Sequence, residues 1–102
     1  MKPNTYKRIA AVELTTRIIK MLADQKQPVS GQEVSNLLQE KHGTVMCHLS
    51  TLEDAGFVMQ INGKYQLGMA LGLIWARVKS NLEASRDNIN RNLNLISIKG
   101  ES

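Results

Sequence analysis

Three side chains able to ligate a metal or act as nucleophile or base, His42, Cys47 and His48, fall close together in this 102-residue chain. Cys47 and His48 are adjacent, so on a helix their side chains diverge by about 100°, whereas a thiol and the base that activates it must converge. The set offers no fourth ligand at a zinc spacing. Gly68-Met69-Ala70-Leu71-Gly72 lacks the lysine and the following hydroxyl of a phosphate-binding loop. Neither catalysis nor a resident metal or cofactor is expected. The same stretch instead collects short polar groups, His42, Thr44, Cys47, Ser50 and Thr51, whose chemistry is non-covalent recognition.

The elements that would position these groups can be read from spacing. Residues 6 to 24 place Ile9, Val12, Leu14, Ile18, Ile19 and Leu22 at helical intervals, with Thr5 available as N-cap. Gln25 to Pro28 breaks that helix. Ser30-Gly31-Gln32-Glu33 has the form of a capping box, in which the serine oxygen takes the third amide and the glutamate reaches back. Val34, Leu37 and Leu38 would form the inner face of the helix it opens. After a polar turn at Gln39 to His42, a third helix from about Gly43 to Asp54 turns Val45, Leu49 and Leu52 inward, and Ala55-Gly56 ends it. Two strand-like runs follow, joined by Asn62-Gly63, a pair that tolerates positive φ and marks a tight β-hairpin. Two short helices followed at once by a hairpin predict a mainly α winged helix-turn-helix over residues 1–76. Residues 77–102 form a helical extension. Such a fold most often places its second helix in the major groove of duplex DNA and its wing alongside.

Composition fits a single globular domain: 42% of residues are hydrophobic and 22% charged. No run reaches the roughly 18 apolar residues of a membrane span, and Met1 to Arg8 has no apolar leader core. A cytoplasmic protein with no membrane partner is expected, and the lone Cys47 agrees with a reducing compartment. The net charge of +4 and pI near 9.5 suit a polyanionic partner. The charge is unevenly spread. Residues 1–26 hold six cations and two anions, and residues 69–102 hold five and three. The segment between, 27–68, holds only Lys41 and Lys64 against four carboxylates.

Longer matches give the fold a family likeness. Ala11-Val-Glu-Leu-Thr-Thr-Arg-Ile-Ile-Lys-Met-Leu-Ala-Asp24 resembles the opening helix of the winged helix of isocitrate-lyase regulators (IclR type). Val29-Ser-Gly-Gln-Glu-Val34 is similar to that family's second-helix start, and Gly43-Thr-Val-Met-Cys-His-Leu-Ser-Thr-Leu-Glu-Asp-Ala-Gly-Phe-Val58 to its third helix and wing entry. Lys64-Tyr-Gln-Leu-Gly68, with Leu71 and Leu73, resembles the close of the wing and the linker helix. The resemblance covers roughly residues 11 to 75 and implies DNA binding and transcription regulation. The chain departs from the pattern in three places. Gly43 stands where a serine is usual, Met46-Cys47 replaces an outward-facing Tyr-Arg, and Gln39-Glu40-Lys41 replaces Gly-Leu-Pro. No counterpart of the family's effector-binding domain is present in the sequence, so no small-molecule effector is expected.

On a helical wheel the third helix turns Cys47 almost opposite its core stripe, with Gly43, Ser50 and Thr51 beside it and Asp54 on the same line. Thr44 lies at the amino end, where a hydroxyl and a backbone amide can meet a phosphate. The expected groove residues are therefore His42, Thr44, Cys47, Ser50 and Thr51. Lys7, Arg8, Ser30, Gln32 and Lys41, with Asn62 and Lys64 on the wing, would contact phosphates. Serine and threonine discriminate bases less than a bidentate arginine, so modest sequence specificity is expected. His48, on the shoulder of the buried face, should pack against the hairpin, and Phe57 and Tyr65 at the wing base should pack rather than stack on bases.

From Met69 to about Leu93 the pattern is again helical, and Trp75, Val78, Leu82, Ser85, Ile89, Asn92 and Ile96 follow alternating steps of three and four. Such a seam predicts a homodimer through Trp75, Val78, Leu82 and Ile89. The alternative is that Leu73, Ile74 and Trp75 pack on the first helix and residues after Ser80 fray. A second function class also fits: a winged-helix adaptor that binds protein rather than DNA, suggested by the acidic middle segment and the absence of arginine from the third helix.

Overall fold

The computed structural model describes residues 6–101, and side chains for residues 6–97. In chain order the elements are α1 (Ala10–Asp24), α2 (Gly31–Leu38), α3 (His42–Asp54), β1 (Val58–Ile61), β2 (Lys64–Leu67) and α4 (Met69–Glu101). The chain divides after Ala70 into two compact units. The first holds three helices and a two-stranded hairpin, a winged helix-turn-helix; the second is carried by α4.

In α1 the buried line is Leu14, Ile18 and Leu22, spaced by four. Ile9 and Val12 are 65% and 56% exposed, contrary to the inward placement their spacing suggested. The wheel explains this: they lie about 180° and 120° from the line that the three buried residues define. The helix also starts later than expected. Ile9 is its N-cap, in extended conformation and with no side-chain cap, and Thr5 lies outside the described residues.

The predicted capping box opens α2. Ser30 Oγ accepts from the Glu33 amide at 3.1 Å, and the Glu33 carboxylate reaches the Ser30 amide at 3.5 Å. Val34 is fully buried and Leu38 packs at the core edge, but Leu37 is 58% exposed rather than inward. The buried side of this short helix runs through Gly31, Val34 and Ser35, and Leu37 points about 110° away from it. A Cβ on Gly31 would run into Met46 Sδ, so glycine lets α2 and α3 approach closely. That contact takes Met46 to the core edge, while its neighbour Cys47 stays exposed.

The turn between α2 and α3 is held from a distance. Gln39 takes the left-handed conformation at φ 55°, and Ser35 Oγ donates to Glu40 O. Arg17 on α1 pairs with Glu40 Oε1 at 3.0 Å and donates to Leu38 O at 2.8 Å, covering a carbonyl left open at the end of α2. Val45, Leu49 and Leu52 bury α3 as predicted. Gly56, at φ 81°, then reverses the chain into the wing.

The wing is an antiparallel hairpin in the register Val58↔Leu67, Met59↔Gln66, Gln60↔Tyr65 and Ile61↔Lys64. Asn62 and Gly63 both have positive φ, 52° and 77°, as the hairpin signal required. Val29, just before α2, adds a bridge to Tyr65 on the other side of β2, with amide-to-carbonyl distances of 2.9 and 2.7 Å. Tyr65 and Val58 are buried beneath the wing and Phe57 is half-buried.

In the second unit α4 is continuous to Glu101, past the Leu93 limit expected from the pattern. Trp75, Val78, Leu82, Ile89 and Ile96 fall within about 40° of one line along it, and their exposures range from 44% to 67%. No helix among the described residues is long and apolar enough to cross a membrane.

Candidate nucleic-acid interface

The outward face of α3 follows from the burial of Val45, Leu49 and Leu52. His42, Gly43, Thr44, Cys47, Ser50, Thr51 and Asp54 are all exposed. Gly43, Cys47, Ser50, Thr51 and Asp54 lie within about 60° of the line opposite the core, and Thr44 about 70° from it, whereas His42 lies about 130° from that line, on the side toward α2. Lys41, at the N-cap, is exposed too, and its side chain makes no cap bond. It leaves the first-turn amides of α3 without a side-chain acceptor, at the positive end of the helix dipole.

His48 is the exception to the sequence reading. It is half-buried, as expected, but it contacts α1 rather than the hairpin. Its Nδ1 lies 2.8 Å from Thr44 O and its Nε2 lies 3.2 Å from Ala11 O. The ring thus ties α3 to α1. Thr51 Oγ1 donates to Cys47 O at 2.9 Å, and Thr15 Oγ1 donates to Ala11 O at 2.7 Å. Between the two helices lies a cleft of about 300 Å³ lined by Ala11, Thr15, Cys47, His48, Thr51 and Leu52.

The expected phosphate contacts sort into free and engaged groups. Lys64 and Asn62 are exposed at the wing turn, on a backbone fixed by the two positive-φ residues. Lys7 is exposed ahead of α1; Arg8 beside it approaches Glu13 at 3.9 Å. Gln32 is exposed and donates to Asn36 Oδ1 at 2.9 Å. The Ser30 hydroxyl is occupied twice over, accepting from the Glu33 amide and donating to its carboxylate at 3.2 Å, so only a rearranged cap would release it. At the far end of α3, Glu53 accepts from Gln60 Nε2 at 3.0 and 3.2 Å, which ties helix to wing and turns one carboxylate of the acidic segment aside.

Sequence reasoning missed Arg17, the Val29–Tyr65 bridge and the Ala11–Thr15 side of the cleft. Each joins residues far apart in the chain, and no local pattern announces such a pairing. Among the described residues no group of three or more His, Cys, Asp or Glu side chains could hold a metal ion.

Three helices, a close α2–α3 turn, an exposed α3 and a hairpin wing define a winged helix-turn-helix protein. No family model matches the sequence, and no curated protein does either. Solved structures do. An IclR transcriptional regulator from Alicyclobacillus acidocaldarius superposes with a TM-score of 0.67 at 28% identity over 71% of this chain. HmgR of Pseudomonas aeruginosa gives 0.61 at 27% identity, also over 71%. An IclR family transcriptional regulator from Brucella abortus gives 0.64 over 79%, at 18% identity, a likeness of fold alone. This chain spans 30%, 32% and 33% of those three proteins, respectively. Its winged helix is thus similar to part of these regulators, the likeness that the sequence resemblance implied.

Proposed function

We propose that this chain is a DNA-binding transcription regulator that acts as a homodimer. The observation that carries the first part is the exposed outward face of α3. In a fold of this type that face enters the major groove while the wing lies beside it. Here it is a strip of small, uncharged side chains apart from Asp54 near its end, so base contacts can form at close range. Attraction to the backbone must come from its surroundings: Lys41 at the head of the helix, Lys64 on the wing, and Lys7 and Arg8 ahead of α1. Cations that neutralise phosphates make binding salt-dependent but read no sequence. The likeness to the Alicyclobacillus protein supports the same function, since that protein is a transcriptional regulator by name.

The dimer rests on α4. Five large apolar side chains, from Trp75 to Ile96, stand exposed along one line. Packing that line against a second copy removes it from water, at roughly 1.5–3 kcal/mol per fully buried large side chain before the cost of association. Two linked winged helices would engage two half-sites in successive turns of the duplex.

An electrophoretic shift of random-sequence duplex at low and moderate salt tests the DNA reading. Binding that weakens steeply with salt is the expected result. No shift at low salt refutes it and turns attention to a protein partner.

A further inference from the structure

Around Cys47 several polar side-chain atoms are engaged by backbone carbonyls. Thr51 donates its hydroxyl to Cys47 O, which leaves its γ-methyl as the part of this exposed side chain without a polar partner. Across the cleft Thr15 does the same with Ala11 O, and both ring nitrogens of His48 lie against backbone carbonyls. The Cys47 thiol, one turn before Thr51, is exposed. The centre of the α3 face therefore offers carbon and sulfur, with the hydroxyls of Thr44 and Ser50 to either side. Moreover, α3 contains no arginine, lysine, asparagine or glutamine. Those are the side chains that grip guanine or adenine edges in bidentate fashion.

One feature of the major-groove floor is complementary to such a surface. The 5-methyl of thymine projects into the groove and is read by apolar contact, not by a donor or acceptor. We infer that Cys47 and Thr51 recognise thymine 5-methyl groups, making thymine-bearing duplex the preferred ligand of α3. This rests on the DNA-binding reading above. Small side chains suit the task, because contact with a methyl group requires the helix to lie close to the base pairs. Gly43, with open space where a Cβ would stand, keeps the amino end of the same face low.

Deoxyuridine provides the test, since it removes the methyl and leaves every hydrogen-bonding edge of the base in place. A duplex recovered by selection from a random pool is resynthesised with each thymine replaced singly, and affinity is read by fluorescence anisotropy. At one or more thymines in the site the dissociation constant should rise about fourfold, the equivalent of one buried carbon. In Thr51→Ser or Cys47→Ser protein that thymine-over-uracil ratio should fall toward one at the matching position. Both side chains are exposed, so the variants should fold, which circular dichroism checks. If every uracil duplex binds as tightly as its parent, the inference is overturned while DNA binding stands. If the ratio persists unchanged in both variants, other residues read the methyl and the assignment is wrong. Absence of binding to any duplex removes this inference together with the function it rests on.

Discussion

Reversing the charge at Lys64 isolates the wing's share of binding. Lys64 is exposed, it sits on a turn fixed by Asn62 and Gly63, and it is one of only two cations in residues 27–68. Each phosphate neutralised contributes about 0.9 to the slope of log affinity against log salt on B-DNA. Lys64→Gln should make the slope shallower by about 0.9 per protomer. Lys64→Glu adds a repulsion of similar size and should approach about 1.8. Between 50 and 200 mM salt, a fourfold change, the Gln variant's deficit should shrink by a factor of about 3.5 and the Glu variant's by up to about 12. A contact to phosphate, as proposed for Lys64, predicts an equal loss on selected and scrambled duplexes. Anisotropy titrations at four salt concentrations give all of these numbers. Slopes that stay parallel to wild type, with unchanged affinity, would take the wing out of the interface; a loss confined to one sequence would make Lys64 a base reader.

Leu82→Glu should yield a folded monomer that binds duplex much more weakly, because the two half-sites lose their shared effective concentration. Sedimentation equilibrium checks this, and a wild-type protein that stays monomeric at tens of micromolar refutes the dimer. Cys47 should react with a thiol reagent in the free protein and be protected by bound duplex; a thiol silent until denaturation would mean α3 is turned the other way. Arg17→Ala should lower stability by roughly 1–2 kcal/mol in urea unfolding, since it removes a half-exposed ion pair and a charged hydrogen bond to the end of α2. The same substitution should leave the salt slope unchanged, because Arg17 is committed to Glu40.

What the sequence disclosed was local. Asn62-Gly63 specifies its turn through the conformational freedom of two adjacent residues, and Ser30 finds Glu33 three positions on; both signals lie within one turn of chain. The outward position of Cys47 was legible for a related reason, since three buried residues at helical spacing determine where the fourth side of a helix points. The errors at Ile9, Val12 and Leu37 share one cause. An apolar residue at a plausible interval was counted as inward, although these short helices bury only a narrow line and leave other apolar side chains in water. His48 was placed at the right depth but against the wrong neighbour, because depth follows from the wheel of its own helix and the neighbour depends on where α1 lies. The orientation of the Thr51 hydroxyl, on which the reading of thymine depends, could not be deduced from residue type at all.

The Val29–Tyr65 bridge bears on how the molecule assembles. Isolated two-stranded hairpins are marginal in water. Here the inner strand has a neighbour on both sides, and that second neighbour comes from the linker between α1 and α2, far away in sequence. The wing reaches its final form only with Val29 in place, which couples its base to closure of a long loop. The amides of Val29 and Tyr65 should therefore exchange with solvent only through large-scale opening of the domain, while the outer edge of β1 and the Asn62-Gly63 tip exchange through local fraying. A surface that looks like an appendage is, at its base, part of the cooperative unit.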